Sequence, residues 1–125
     1  MRELDAKSRR DLFRGSLDVM VLAVLADGRQ YGYSIQKRLR AASGQAVQAG
    51  TLYPLLHRLE TQGLIAATWE EGTGRPRKWY SLTSAGEKKF RGAVADWLAL
   101  FARMLSLVLP ALRHVTNHPQ APPTT

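Results

Sequence analysis

A chain of 125 residues, 45% of them apolar, can pack one domain and carry an added helix, and is too short for several domains. Eighteen Lys and Arg against ten Asp and Glu leave a formal charge of +8, which favours an anionic partner, nucleic acid ahead of an anionic membrane. With no cysteine in the chain, disulfides, thiolate metal sites and cysteine nucleophiles are excluded.

The first segment, MRELDAKSRRDLFRG (1–15), is charged throughout and has no apolar centre, so it reads as a basic arm and not as a secretory signal. Arg9, Arg10 and Arg14 are interleaved with Glu3, Asp5 and Asp11. This arm either packs Leu12 and Phe13 on a partner's long helix or helps to grip a backbone. Ser16 is placed to cap a helix on which Leu17, Met20, Val21, Val24 and Leu25 recur at helical spacing, with Gly28 to end it. Val19, Leu22 and Ala23 carry apolar character onto the remaining faces, which predicts a helix buried all round. After a short link, YGYSIQKRLRAASG predicts a second helix. Ile35, Leu39 and Ala42 form its apolar face, Lys37, Arg38 and Arg40 carry charge, and Gly44 closes it.

In GTLYPLLHRLETQGLI (50–65), Leu52, Leu55, Leu56 and Leu59 share one helical face although Pro54 sits among them. Proline lacks an amide hydrogen and fits the first turn, so this helix is expected to start at Gly50 or Thr51 and to end at Gly63. From Leu64 the period changes from 3.6 to 2. Ile65, Ala67 and Trp69 alternate with Ala66, Thr68 and Glu70 as a half-exposed strand, EGTGRP supplies a turn, and RKWYSL returns with Tyr80 and Leu82 on one face. Arg75, Arg77 and Lys78 are expected at the tip of this hairpin.

Thr83 or Ser84 can cap a last helix, and Ser84 with Glu87 fits a capping box. Phe90, Val94, Trp97, Phe101, Leu105 and Val108 step by threes and fours, a coiled-coil-like seam, and one face of this helix could cover the chain's own core. Leu98, Leu100, Met104, Leu107 and Leu109 make the helix apolar elsewhere too, so a second face needs its own cover. Pro110 is expected to kink or end the helix. Interrupted by Arg103, Ser106 and Pro110, the stretch falls short of the ~20 apolar residues of a membrane span, so a soluble, cytoplasmic chain is expected. The tail TNHPQAPPTT (116–125) reads as disordered.

Helix, helix, helix, hairpin, long helix is the order of a winged helix-turn-helix followed by one more long helix. The fold class expected is therefore mainly α with a small β-hairpin: arm 1–15, winged domain 16–83, dimerisation helix 84–115 and tail 116–125. On this reading the third helix enters the major groove with its N-terminal end leading. Gly50 lets a backbone approach, Thr51 and Tyr53 offer hydroxyls, Pro54 stiffens the end, and His57 and Arg58 follow a turn later, where Arg58 can pair with guanine. Lys37, Arg38, Arg75, Arg77 and Lys78 would supply sequence-independent affinity, and Tyr33 either packs or meets a phosphate.

No nucleophile elbow or phosphate-binding loop is present, and the glycines of EEGTGRP lie between strands. His57, His114 and His118 show no ligand spacing. Neither enzyme, metal nor cofactor is expected. A winged helix used for protein assembly would show an apolar or acidic outer face, and an RNA reader would show aromatic strand platforms, for which Trp79 is one candidate.

GTLYPLLHRLETQGLI, with YGYSIQKRL before it and GRPRKWYSLTSAGEKKF after it, resembles the PadR family of transcriptional regulators over residues 16–90. The resemblance implies a winged helix-turn-helix repressor that binds operator DNA as a homodimer through its C-terminal helix, in the smaller subtype. It also implies that Tyr31, Gly32 and Tyr33 open the first helix of the motif, that Gly50, Thr51, Tyr53 and Pro54 open the recognition helix, and that Arg75, Arg77 and Lys78 tip the wing. Arg29-Gln30 departs from the family, whose members often carry proline before the tyrosines. Trp97 has two readings: a buried seam residue, or, with Phe101 and Met104, the wall of a site for a flat aromatic effector, as in similar multidrug regulators.

Overall fold

The helical and strand periods of the sequence appear as α1 (Ala6–Ala26), β1 (Gln30–Tyr31), α2 (Gly32–Ser43), α3 (Ala49–Thr61), β2 (Ile65–Glu70), β3 (Arg77–Leu82) and α4 (Ser84–Asn117). The computed structural model describes residues 6–72 and 74–117. The fold is mainly helical with a small antiparallel sheet, as expected. Residues through Arg91 form one compact unit and those from Gly92 a second.

In the first unit, Leu17, Val21, Leu22, Val24 and Leu25 of α1 meet Ile35 and Leu39 of α2 and the four leucines of α3 in one buried core. Among the described residues no charged or polar side chain is buried there. The start of α1 corrects the expected boundary. The helix begins at Ala6, and Ser16 is an interior residue whose hydroxyl lies 3.8 Å from Met20 Sδ. Nor is α1 buried all round, since Asp18 and Ala23 are exposed. The contacts expected of Leu12, Phe13, Arg9, Arg10 and Arg14 lie outside the described residues, as do positions 1–5 and 118–125.

The end of α1 is held by the side chains of Gln30 and Arg38. Gln30 Nε2 donates to the Val24 carbonyl at 2.8 Å, and Arg38 Nη1 donates to the same oxygen at 3.3 Å. Arg38 also pairs with Asp27 at 2.5 Å. A cation at a helix C-terminus is favoured by the exposed carbonyls there. Arg38 is thus occupied inside the fold. The departure at Arg29-Gln30 likewise has a structural role, because Gln30 caps α1. On α2, Ile35 and Leu39 are buried as expected, whereas Ala42 is exposed. Gly44 ends the helix with φ 71°, a left-handed conformation that suits glycine, and its amide reaches Arg40 O at 2.8 Å.

Helix α3 starts at Ala49, with Leu52 N bonded to the carbonyl of Gln48, so Pro54 lies just past the first turn and not within it. It has no amide to give the Gly50 carbonyl one turn back. Gly50 is exposed, so solvent can serve that oxygen.

The sheet is one strand larger than expected. Its order is β1-β3-β2, all antiparallel, with Gln30 opposite Tyr80 and Tyr31 opposite Trp79. In the hairpin, Ile65 faces Leu82, Ala67 faces Tyr80 and Glu70 faces Arg77. Arg77 and Lys78 therefore belong to strand β3, and only Arg75 lies in the turn. A two-residue strand carries no periodicity, which is why β1 is invisible in the sequence.

Thr83 is the N-cap of α4. Its Oγ1 accepts from the Gly86 amide at 3.0 Å and donates to the Gly63 carbonyl at 2.7 Å. Ser84 is already helical, so the expected Ser84–Glu87 box is not the capping device. Gly86 is buried, and a Cβ added there would land on the Leu64 carbonyl oxygen. Thr83 N donates to that same carbonyl. Phe90, expected at a dimer seam, instead packs against the core of its own chain.

The second unit is the rest of α4, which continues through Pro110 to Asn117. Pro110 does not end it, and Thr116 and Asn117 belong to the helix and not to the tail. Trp97 and Phe101 are tilted neighbours, with ring centroids 6.3 Å apart. At 100° per residue, the apolar arc from Leu107 through Trp97 to Leu109 covers roughly 200°. Leu105, Met104 and Val108 lie within it and are exposed. By length and composition alone α4 could cross a membrane, because it holds an 18-residue stretch of mean hydropathy 1.6. Arg103, Ser106 and Pro110 do not interrupt it enough to prevent this, contrary to the expectation from the sequence.

Candidate nucleic-acid interface

The four leucines that bury one side of α3 determine what its other side presents. Gly50, Pro54, His57 and Thr61 fall within about 60° of one another on the outward face. All four are exposed. Thr61, which sequence reasoning did not single out, joins this face and donates to the His57 carbonyl at 2.9 Å. A Cβ at Gly50 would meet nothing within 4 Å. Its missing side chain therefore matters only to a body arriving from outside. No side chain caps this helix end, although the Thr51 amide is already taken by the Gln48 carbonyl at 2.9 Å.

Three of the expected residues lie on the flanks, with Thr51 on the same side as Arg58. Arg58 points toward α1, where Nη2 reaches both carboxylate oxygens of Asp18 at 2.9 and 2.8 Å. The guanidinium expected to read guanine is thus held on the scaffold side, through an exposed pair of the kind worth little to stability. Tyr53 lies on the opposite flank and leans over the start of α2. A Cβ at Gly32 would sit 2.8 Å from its hydroxyl, so glycine at 32 leaves room for this ring.

Between that flank, the start of α2 and the hairpin opens a cleft of about 780 Å³. Tyr31, Tyr33, Tyr53 and Trp69 supply aromatic wall, and Arg75, Arg77 and Lys78 supply positive charge. Five of the expected contact residues, Tyr33, Tyr53, Arg75, Arg77 and Lys78, are thereby brought together. Lys37 stands beside the Tyr33 ring, its ammonium 5.6 Å from the centroid.

The cations of the wing are not equivalent. Arg77 stacks over Tyr31 at 5.0 Å, Tyr31 stacks on Trp79 at 3.8 Å, and Arg29 covers Trp79 at 4.6 Å. The Tyr31 hydroxyl donates to Glu70 Oε2 at 2.7 Å. This ladder ties β1 to the hairpin from its outer face, and it covers Trp79, the candidate platform for single-stranded RNA. Chiefly through its bond to Glu70, and then through desolvation, the Tyr31 phenol is held above the ordinary tyrosine range. Lys78 points to the other face, where it pairs with Glu60 of α3 at 3.8 Å and lies over Trp69 and Tyr80. Burial raises the Tyr80 phenol as well, with smaller contributions from Tyr53 and Glu60. Arg75 makes no ion pair among the described residues and is exposed in the turn.

Among the described residues, no three His, Asp or Glu side chains gather as a metal site. His57 stands exposed on α3.

The sequence pattern of the PadR-like transcriptional regulator family matches residues 21–92. The crystal structure of a PadR family transcriptional regulator from Eggerthella lenta is 38% identical, with a TM-score of 0.74 over 82% of this chain and 90% of that one. A transcriptional regulator from Clostridium thermocellum is 30% identical, with a TM-score of 0.70 over 78% of this chain and 98% of its own. A transcriptional regulator of Mycobacterium tuberculosis is 36% identical over 77 residues, which is 62% of this chain and 71% of that protein. These relatives are regulators and not enzymes. On the match over most of its reading head, the chain belongs to the PadR-like family and is a DNA-binding transcriptional regulator.

Proposed function

We propose that the protein is a cytoplasmic repressor that binds a palindromic operator as a homodimer. The carrying observation is the aromatic and basic cleft, which opens beside the outward face of α3. Gly50, Thr51, Pro54, His57 and Thr61 would enter the major groove of double-stranded DNA, with Gly50 leading. Tyr33, Lys37, Tyr53, Arg75 and Arg77 would meet the sugar-phosphate backbone, each neutralised phosphate releasing a counterion. Arg58 is assigned to docking α3 on α1, in keeping with its Asp18 contact. Each protomer would read one half-site, the two about 34 Å apart along the duplex.

The dimer contact is assigned to α4 beyond Phe90. Val94, Trp97, Phe101, Leu105 and Val108 lie near the middle of its apolar arc, and a second copy would remove that surface from water. Trp97, Phe101 and Met104 share the same part of the arc, the site assigned to a flat aromatic effector that releases the operator.

The test is fluorescence anisotropy on DNA from upstream of the protein's own gene, against a scrambled duplex, across a salt series. Tighter binding to the upstream DNA, persisting at higher salt, is the expected result. Arg77→Ala is expected to weaken both duplexes and to lower the salt slope by about one. Equal binding to both duplexes by the parent protein would count against a sequence-specific regulator.

A further inference from the structure

Outside α4 and among the described residues, the exposed large apolar side chains are Tyr33 at 67%, Trp69 at 60% and Tyr53 at 43%, and all three line the same cleft. Two of them are tyrosines with a hydroxyl to offer. Trp69 is different: its surface is almost wholly apolar, and an exposed indole is costly to leave in water.

The position of Trp69 follows from strand alternation. Ile65 and Ala67 of β2 face the core, opposite Leu82 and Tyr80, and Trp69 is next on that same face, opposite Lys78. Core covers that face as far as Ala67, and at the next core-facing position the Trp69 ring is left open to the cleft. Lys78 does not cover it either. Its ammonium lies 5.3 Å from the Trp69 ring and 5.9 Å from that of Tyr80, and 3.8 Å from a Glu60 oxygen. An ammonium that rests on two rings and pairs with a carboxylate is turned toward those neighbours, and it orients them.

We infer that Trp69 is a DNA-contacting residue, packing its indole on the deoxyribose of one strand, and that Lys78 is the positioning residue that holds the ring in place. This deepens the proposed function and rests on it. Charge points to the occupant. Arg75 and Arg77 line the same cleft, and no carboxylate is among its lining residues. The opening also adjoins α3 through Tyr53. A surface that is apolar in the middle and cationic at its edge matches a sugar flanked by phosphates. An acidic peptide would match the charge but would not share the flank of the recognition helix.

Such a contact differs from an ionic one in a measurable way. Losing it lowers affinity at every salt concentration alike, whereas losing a phosphate contact changes the slope. The experiment uses the full chain and a scrambled duplex of about twenty base pairs at low salt, so no operator is needed. Trp69→Ala is expected to weaken binding about tenfold with an unchanged salt slope, and Trp69→Phe to recover most of the loss. Lys78→Met is expected to alter the slope by much less than Arg77→Ala. In a Trp79→Phe, Trp97→Phe background, Trp69 is the sole indole, and DNA is expected to quench it and shield it from acrylamide. Parent-like affinity of Trp69→Ala, together with an indole that DNA leaves unshielded, would overturn the inference while leaving the proposed function intact. Failure of the parent protein to bind any duplex would overturn both.

Discussion

The reading head and the distal part of α4 are both rich in leucine, and the structure treats them oppositely. In the head, Leu22, Leu39, Leu52 and Leu56 are withdrawn from water by the three helices and the sheet. On α4, Leu98 and Leu107 stand 65% and 75% exposed. The head closes its own core, and its apolar faces are as wide as the neighbours that cover them. The distal helix has an apolar arc of roughly 200° and no such neighbour inside its own unit. Similar residues therefore carry different information. In the head they specify a fold, and on α4 they specify a need for something outside the unit.

That contrast can be broken by mutation. The largest effect is expected in the head, where Leu56→Ala removes a fully buried side chain and costs about 3 kcal/mol by denaturant titration. Leu107→Ala, made on the exposed side of the contrast, is expected to leave the head's midpoint within about 0.5 kcal/mol. Equal losses for the two would erase the distinction.

The second test concerns the proposed dimer. Leu105→Arg with Val108→Arg is expected to give monomers by sedimentation while the head melts as before. Affinity for a two-half-site duplex would fall on the order of 100-fold, since the second half-site loses its tether. Head unfolding in this variant would mean that the two regions are not separable.

A smaller effect sharpens the boundary between them. Thr83→Val removes the hydroxyl that caps α4 and binds the Gly63 carbonyl, and is expected to cost about 1 kcal/mol, read as a lower unfolding midpoint. The smallest is Asp18→Asn, which releases Arg58 from an exposed pair. Stability is expected to change by less than about 0.5 kcal/mol. Sequence preference on DNA, read by anisotropy with single-base variants, is expected to change only if the freed Arg58 then reaches a base.

Much of the head was legible in the residues. The four leucines of α3, the glycine end of α2 and the switch to period 2 at Leu64 each mark an element by a rule that acts locally. The site was half legible. The exposed positions of Gly50, Tyr53, Arg75 and Arg77 were legible because helix N-termini and acid-poor hairpins have compositional signatures. The intramolecular partners of Arg58, Arg38 and Lys78 were not legible, because Asp18, Asp27 and Glu60, which lie near them, come from other elements. Trp69 was missed as a surface residue because alternation placed it facing inward, and only the tertiary structure shows that this face is uncovered at its position.

The sequence alone determined the order of the elements, the helix ends at Gly44 and Gly63, and which leucines turn inward, because these depend on backbone preference and on periodicity within a few residues. The tertiary structure alone decided that β1 joins the sheet, that Thr83 and Gly86 join the end of α3 to the start of α4, and which arginines remain available to a partner. Those outcomes depend on distances between residues far apart in the chain, and no local pattern encodes them.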